Sequence, residues 1–142
     1  MDETLRKLWA ATKLKLWPGN YYLLKFEVAA HGSVLERLKD KNSTFVVVAL
    51  DELELSVTCH EERLEELKSI TGYVNSSAPM RVITFDIALD FDVVGYMAVA
   101  SKALAEAGIS IIPQCAFSRD HILVPALSCD DAMQVLGELS AS

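Results

Sequence analysis

The densest group of side chains that could do chemistry lies where a strand pattern gives way to a helix pattern. Asp86, Asp90 and Asp92 stand close together there, just ahead of Gly95. Three neighbouring carboxylates could bind Mg²⁺ or Ca²⁺ through their oxygen atoms. However, Asp92 also suits the N-cap of the following helix, and Asp90 would be stabilised by the same positive helix end. Because capping accounts for these residues without an ion, we expect no metal site.

The same helix start could bind an anionic ligand. Its first backbone amides, those of Val94 and Gly95, would lack intrahelical acceptors, and such amides bind carboxylates. Gly95 has no side chain, so a ligand could approach the backbone closely. This segment therefore predicts a site for a small carboxylate ligand.

Two pairings of cysteine with histidine raise the question of nucleophilic catalysis. Cys115 precedes Asp120 and His121, and Cys59 is followed directly by His60. Neighbouring residues on a strand point to opposite faces, and buried cysteines are ordinary core residues. We therefore expect no catalytic residue, and we predict that the chain is not an enzyme.

Composition and charge restrict the partners. The 142 residues include 13 Lys and Arg against 20 Asp and Glu, a net charge of −7, and 51% are hydrophobic. The apolar fraction supports a folded core, whereas the negative charge disfavours nucleic acid and anionic membranes as partners. Neither a membrane-spanning stretch nor a secretory signal is evident, so we expect a cytoplasmic protein. The sequence has no glycine-rich phosphate loop, and we predict no cofactor.

Strand and helix patterns recur along the chain. Residues 1–12 form an amphipathic helix pattern, and the polar, turn-rich stretch 72–79 is interpreted as an internal boundary. Residues 44–50 are apolar and β-branched, which is typical of a strand buried on both faces. Ser33 and Glu36 predict a capping box for a short helix. The patterns predict strands at 13–17, 21–28, 44–50, 53–59, 81–89, 109–117 and 121–124, and further helices at 34–39, 61–70, 93–107 and 129–139.

Both halves of the chain follow the element order of a ferredoxin-like fold. Strands that alternate with helices, but are also joined by tight turns, indicate antiparallel sheets with helices on one face. We predict an α+β protein with an N-terminal segment at 1–12 and two βαββαβ units at 13–79 and 80–142. The seven predicted strands are one fewer than two such units need. We therefore expect the units to share or exchange strands, or to be completed across a chain interface.

Five segments carry a resemblance to a known family: 16–21 (LWPGNY), 53–62, 89–95 (LDFDVVG), 105–111 (AEAGISI) and 117–125 (FSRDHILVP). Together they resemble tandem ACT-domain proteins, and they are similar to the ACT repeats of the cytosolic arginine sensor of the TOR pathway and of aspartate kinases. The resemblance covers roughly residues 13–139.

The resemblance implies regulation by an amino acid bound between ACT units. The ligand carboxylate would accept hydrogen bonds from the amides of Val94 and Gly95, and its ammonium or a basic side chain would pair with Asp120 or Asp92. The implied ligand-binding residues lie in a strand–helix loop and in a hairpin: Asp90, Asp92, Val93, Val94 and Gly95 in the loop, and Ala116, Phe117 and Asp120 in the hairpin.

Exposed sheet edges also predict a homodimer, because unpaired strands invite association. Pro113 lies inside a predicted strand and lacks an amide donor, which predicts an edge, a bulge or a binding rim there. An alternative function stays open: a protein-protein interaction or assembly module that binds no metabolite.

Overall fold

The structure, a computed structural model, describes residues 1–40 and 44–141 of the chain. These residues form two compact units. Unit 1 combines Met1–Trp17 with the described residues from Arg81 onward, and unit 2 comprises the described residues of Pro18–Met80. The helices are α1 Glu3–Ala11, α2 His31–Arg37, α3 Leu64–Lys68, α4 Tyr96–Glu106 and α5 Cys129–Ala141. The strands are β1 Lys13–Leu16, β2 Tyr21–Phe26, β3 Val47–Leu50, β4 Leu55–His60, β5 Tyr73–Ser76, β6 Met80–Asp86, β7 Ile112–Pro113 and β8 Asp120–Pro125.

Unit 1 is a ferredoxin-like unit whose fourth strand comes from the start of the chain. Its elements run β6-α4-β7-β8-α5, and its strands lie in the order β1-β6-β8-β7. β1 pairs antiparallel with β6, from Lys13 opposite Asp86 to Leu16 opposite Ile83. The chain therefore exchanges a strand, as the sequence predicts.

The limits of the units differ from the predicted 13–79 and 80–142 for this reason. Leu14 and Leu16 of β1 pack against the buried cluster of unit 1. Burial of apolar side chains outweighs nearness along the chain, so β1 belongs with the second half. The helix at 1–12 is present, and its Trp9 is fully buried in the same cluster.

The core of unit 1 lies between its sheet and helices α1, α4 and α5. The sheet contributes inward-facing residues of β6 and β8, and the helices contribute one stripe each. Its members include Trp9, Ile83, Phe85, Tyr96, Ala100, Leu104, Ile122, Val124, Ala132 and Leu136. This packing fixes the first turn of α4, which becomes important at the candidate site.

Unit 2 is a ferredoxin-like unit built from one continuous stretch. Its elements run β2-α2-β3-β4-α3-β5, and its strands lie in the order β5-β2-β4-β3. β4 pairs with β2, from Tyr21 opposite His60 to Phe26 opposite Leu55, and β3 pairs with β4. The α+β class with antiparallel ferredoxin-like units is therefore confirmed.

β5 lies inside the stretch 72–79 that the sequence marks as a boundary. Its turn-forming residues Asn75 and Ser76 pair with β2, where Leu24 lies opposite Ser76 and Phe26 opposite Tyr73. Strand preference depends strongly on the neighbouring strand, so this pairing overrides the local turn preference. The described chain thus has eight strands, not the seven that the patterns predict.

Two local predictions around α2 and β3 are wrong. α2 begins at His31 with Ala30 as its N-cap and no side-chain cap, so Ser33 lies within the helix and forms no capping box. A 3₁₀ turn at Val28–Ala30 leads into this earlier start. β3, predicted to be buried on both faces, is largely exposed because it pairs with β4 at an edge of its sheet.

The predicted strand at 109–117 shortens to β7, at the end of the strand order, so the edge position predicted for Pro113 is confirmed. None of the helices in residues 1–40 and 44–141 is both long and apolar enough to cross a membrane.

Candidate functional site

A cleft of about 390 Å³ opens in unit 1 beside the first turn of α4. One wall is the loop between β6 and α4 with the start of that helix, and the other is the hairpin between β7 and β8. Both walls belong to unit 1, whereas a site between two ACT units stays a prediction. The lining residues are Leu89, Asp90, Phe91, Val93, Gly95, Tyr96, Met97, Ala98, Ala116, Phe117, Ser118, Arg119 and Asp120.

Six of the eight predicted ligand-binding residues line this cleft: Asp90, Val93, Gly95, Ala116, Phe117 and Asp120. The other two, Asp92 and Val94, do not line it, and Val94 is 84% exposed. The structure thus brings most of the loop and hairpin residues together, although they lie far apart in the sequence.

The first turn of α4 starts later than the sequence predicts. Gly95, with φ +88°, is the N-cap and provides no side-chain cap, so the prediction that Asp92 caps this helix is wrong. Val93 and Val94 are β-branched and disfavour helix, and Gly95 tolerates the left-handed conformation at the turn.

Helix geometry leaves the amides of Tyr96, Met97 and Ala98 without intrahelical acceptors. The first intrahelical bond of this turn is donated by Val99 to the carbonyl of Gly95 at 3.3 Å. Tyr96, Met97 and Ala98 all line the cleft. These three amides are therefore available as donors to a ligand, and Gly95 of the predicted pair also lines the cleft.

Tyr96 packs against helix α1. Its ring stacks on Trp9 with centroids 4.4 Å apart and planes 7° apart. Burial is the main cause that raises the pKa of the Tyr96 phenol to about 12, with a smaller contribution in the same direction from the Asp120 carboxylate. The phenol also forms a hydrogen bond with the Thr12 hydroxyl, at 2.6 Å between the oxygens. Sequence reasoning missed Trp9 and Thr12 as support for the site, because their helical spacing indicated only an amphipathic face.

A backbone hydrogen bond joins the hairpin wall to the loop wall: Leu89 donates its amide hydrogen to the carbonyl of Ser118 at 2.9 Å. Within the hairpin, Ala116 donates to the carbonyl of Arg119 at 2.9 Å. Above these bonds, Phe91 and Phe117 meet edge to face with centroids 4.8 Å apart. Their side chains are 79% and 80% exposed, so they form an aromatic rim at the cleft.

Some charged side chains at the cleft form an ion pair, and others do not. Arg119 donates through Nε to Oδ1 of Asp86 at 2.8 Å, and this hydrogen bond is the main cause that lowers the pKa of the Asp86 carboxyl. Among the described residues, Asp90 and Asp120 form no ion pair. The Arg119 cation is thus engaged by Asp86, and the cleft keeps an excess of negative charge.

The surroundings of Cys115 and His121, the two residues of this region considered for catalysis, shift the pKa values of both side chains. Burial, followed by a hydrogen bond with Asp120, raises the pKa of the Cys115 thiol to about 11. His121 contacts Thr84 through Nδ1 at 2.7 Å, and burial lowers the pKa of its imidazole. A thiol that resists ionisation is a poor nucleophile.

The carboxylates considered as metal ligands do not cluster among the described residues. Within 1–40 and 44–141, no group of three or more His, Cys, Asp or Glu side chains could hold an ion. Asp86, one of the three carboxylates considered from the sequence, is paired with Arg119 instead.

Comparison with known proteins finds a family whose profile matches the part of the chain that forms the cleft. Residues 75–138 match the profile of the ACT domain family. That range runs from β5 into α5 and contains both walls of the cleft. None of the curated proteins matches the sequence at a significant level.

Several solved structures share the fold. A protein of unknown function from Vibrio cholerae, described as a possible transport protein, is 24% identical with a TM-score of 0.77, and the match covers 97% of each chain. A structure of aspartokinase alpha and beta subunits is 16% identical with a TM-score of 0.72 and coverage of 99% of this chain and 100% of that one. The ligand-free regulatory subunit of aspartate kinase from Thermus thermophilus is 12% identical with a TM-score of 0.66, covering 91% and 99%. These likenesses show the ferredoxin-like fold of ACT domains, whereas similarity to the arginine sensor stays a prediction.

Proposed function

We propose that this chain is a non-catalytic regulatory module that binds a free amino acid in the cleft of unit 1. One observation carries the proposal: amides without intrahelical acceptors, at Tyr96 to Ala98, line the same cleft as the carboxylate of Asp120. Donors beside an acid suit a zwitterion, whose carboxylate and ammonium need both. The ACT-domain match over residues 75–138 and the likeness to regulatory subunits of aspartate kinases support a regulatory role.

Each end of the ligand has a partner in this arrangement. The carboxylate accepts hydrogen bonds from the α4 amides, where the helix dipole also favours negative charge. Gly95 leaves room for that approach, and the ammonium pairs with Asp120. Val93 and Ala116 contribute apolar wall, and Asp90 adds a second carboxylate that favours a cationic group.

The expected affinity is moderate. Charge-assisted hydrogen bonds contribute about 1.5–3 kcal/mol each. Three of them support dissociation constants in the micromolar-to-millimolar range after the cost of ordering the ligand. A cleft of about 390 Å³ also falls within the size range of small-molecule sites.

A homodimer in the cytoplasm remains part of the proposal, with no cofactor, nucleic acid or membrane as partner. Regulation of a second protein would then follow from the bound and unbound forms of the cleft.

A second candidate function, an interaction or assembly module without a metabolite, is favoured by one feature. Phe91, Val94 and Phe117 together expose apolar surface beside the cleft. Exposed apolar patches often mark sites of protein association. Under this alternative, the rim contacts a protein and the cleft stays empty.

A calorimetric and thermal-shift screen over the twenty amino acids separates the two candidates. A bound amino acid at 100 times its dissociation constant should stabilise the protein by about 2.7 kcal/mol, a shift of several degrees in melting temperature. Asp120→Asn should weaken binding of the amino acid found by at least about tenfold, the loss of one charge-assisted bond.

Asp92→Asn is the matched control, because Asp92 is an exposed acid of the same loop that does not line the cleft. It should bind as the wild type does. A screen in which no amino acid changes the melting temperature, or an Asp120→Asn variant that binds normally, would contradict amino-acid binding in this cleft.

A further inference from the structure

Helix α1 contacts both ends of the loop that forms one wall of the cleft. This loop, residues 87–95, joins β6 to α4, so Phe85 lies just before it and Tyr96 directly after it. The indole of Trp9 meets Phe85 edge to face, with ring centroids 5.5 Å apart, and stacks on Tyr96 at 4.4 Å. One side chain of α1 thus packs against the residues that hold the loop at its two ends.

Two further contacts join α1 to the first turn of α4. Thr12 is the C-cap of α1, and its hydroxyl oxygen lies 2.6 Å from the phenol oxygen of Tyr96. Leu5 lies next to Gly95, since a Cβ built on this glycine would be 3.4 Å from Cδ1 of Leu5. Gly95 and Tyr96 both line the cleft. α1 is therefore in contact with the residues at which we propose that the ligand carboxylate binds.

Few side chains hold α1 on the unit. The helix has nine residues, a length at which isolated helices are unstable in water, so it is helical because it is docked. Trp9 is its one fully buried residue, and Leu5 and Leu8 are partly buried against the same cluster. Among the described residues, the Nε1 hydrogen of Trp9 has no hydrogen-bond acceptor. Water would supply one in the undocked state, and this favours release of the helix.

The strand that follows α1 is anchored independently. β1 pairs with β6 along its whole length, Lys13–Leu16, and its Leu14 and Leu16 pack against the core of unit 1. Thr12, with φ −75° and ψ 129°, is the extended residue between the two elements. A change at Thr12 is therefore sufficient to release α1 while β1 stays in the sheet.

We propose that docking of α1 is coupled to ligand binding in the cleft, so that a bound ligand keeps α1 docked and an empty cleft lets it open. Undocking removes Trp9 from the rings of Phe85 and Tyr96, and both ends of the loop then lose packing. A ligand that binds the ordered loop more tightly than the loosened one shifts the equilibrium toward the docked helix. By thermodynamic reciprocity, a docked helix raises the affinity for the ligand.

The two states differ in the surface that they present. With α1 docked, Leu5, Leu8 and Trp9 pack on the core of unit 1, whereas undocking uncovers these side chains and the ring of Tyr96. Exposed apolar patches often mark sites of protein association. The ligand-free form therefore offers a regulated protein an apolar surface that the ligand-bound form covers. This inference rests on the proposed function and names how binding in the cleft is passed on.

Hydrogen–deuterium exchange of the ligand-free protein tests the coupling with the double variant Lys7→Gly, Ala10→Gly. Both residues are exposed positions of α1, so the substitutions lower helix propensity without removing a core contact. Exchange of the α1 amides should become about tenfold faster. The amides of Leu89 and Val99, which are hydrogen-bonded in the loop and in the first turn of α4, should accelerate with them.

The double variant Gln134→Gly, Glu138→Gly is the matched control, because both residues are exposed positions of α5 in the same unit. It should accelerate exchange in α5 and leave the loop at the wild-type rate. In the wild type, the α1 amides should exchange faster than those of the central turns of α5, since α1 opens separately. Equal rates in these two helices, unchanged loop exchange in the α1 variant, or equal loop acceleration in the control would overturn the coupling.

A second arm adds the amino acid found by the thermal-shift screen at 100 times its dissociation constant. Exchange of the α1 amides should slow by up to about hundredfold, the full linkage factor at that concentration, while exchange in α2 of unit 2 stays unchanged. An amino acid that binds by calorimetry without slowing α1 would overturn the coupling and leave the proposed function in place. If no amino acid binds, the proposed function fails together with the link to a ligand, and the glycine variants still decide whether α1 and the loop open together.

Discussion

The phenol oxygen of Tyr96 lies 2.6 Å from the hydroxyl oxygen of Thr12. The Thr12 hydroxyl donates its single hydrogen to the carbonyl of Leu8 at 2.7 Å, so the Tyr96 hydroxyl must be the donor in this pair. Thr12 ends helix α1, and Tyr96 begins α4 and lines the cleft. This bond therefore joins the N-terminal helix to the helix end that we propose binds the ligand carboxylate.

Thr12→Val should destabilise unit 1. Valine keeps the shape of the side chain but removes the acceptor, which leaves the buried Tyr96 hydroxyl without this partner. The free energy of unfolding should fall by about 1–3 kcal/mol, as measured by urea denaturation. Thr12→Ser is the matched control, because it keeps the hydroxyl. Equal stability of the valine and serine variants would show that the hydrogen bond contributes nothing.

Gly95→Ala should both destabilise the fold and weaken amino-acid binding. Gly95 has φ +88°, and a left-handed conformation costs an L residue with a side chain about 1–2 kcal/mol. Gly137→Ala serves as the control, since Gly137 lies within α5 and an added Cβ meets no atom within 4 Å. That variant should be more stable by about 0.5–1 kcal/mol. Similar effects of the two substitutions, measured by urea denaturation, would contradict the role of the backbone conformation.

The ion pair of Arg119 and Asp86 should contribute a pH-dependent part of the stability. The hydrogen bond from Arg119 holds the pKa of the Asp86 carboxyl below its ordinary value of 3.8. A carboxyl with a lowered pKa in the folded state stabilises the protein above its unfolded pKa, and this stability is lost as the pH falls through the folded pKa. Asp86→Asn should thus lower the urea midpoint at pH 7 and have no such effect once Asp86 is protonated.

A constant difference between wild type and Asp86→Asn across that pH range would contradict an ionic origin. The series is best measured at low salt, because both side chains are about half exposed and salt weakens such pairs.

The Cys115 thiol should react slowly with alkylating reagents. A pKa of about 11, compared with 9.0 for a free thiol, lowers the thiolate fraction at neutral pH roughly hundredfold. Alkylation by iodoacetamide, followed at Cys115 by peptide mass spectrometry, should be slower than for a free cysteine peptide by a similar factor. Asp120→Asn should raise the rate in part, because burial is the larger cause. A wild-type rate equal to that of the peptide would refute the raised pKa.

Local sequence patterns were sufficient for much of the fold. The alternation of Leu55 and Val57 with polar neighbours predicts β4, and the helical spacing of Ala100 and Leu104 predicts α4, because each pattern reports the face that an element buries. Pro113 predicts an edge strand through its missing amide. The resemblance in the loop and hairpin also points to most of the residues that line the cleft.

The remaining features of the fold depend on contacts between residues that are distant in sequence. The pairing of β1 with β6 and of β5 with β2 depends on partners about 70 and 50 residues away, which no local pattern records. The start of α4 at Tyr96 likewise depends on Gly95 and on packing against Trp9 of another helix.

The sequence by itself thus determined the element types, the ferredoxin-like class and the two segments that form the cleft, since these follow from side-chain periodicity and turn chemistry. Only the tertiary structure decided that both cleft walls belong to one unit, that the amides of Tyr96 to Ala98 lie at the cleft, and that β3 is exposed. The physical reason is that burial and hydrogen-bond completion are satisfied by the whole chain at once, so the environment of a residue depends on its neighbours in space.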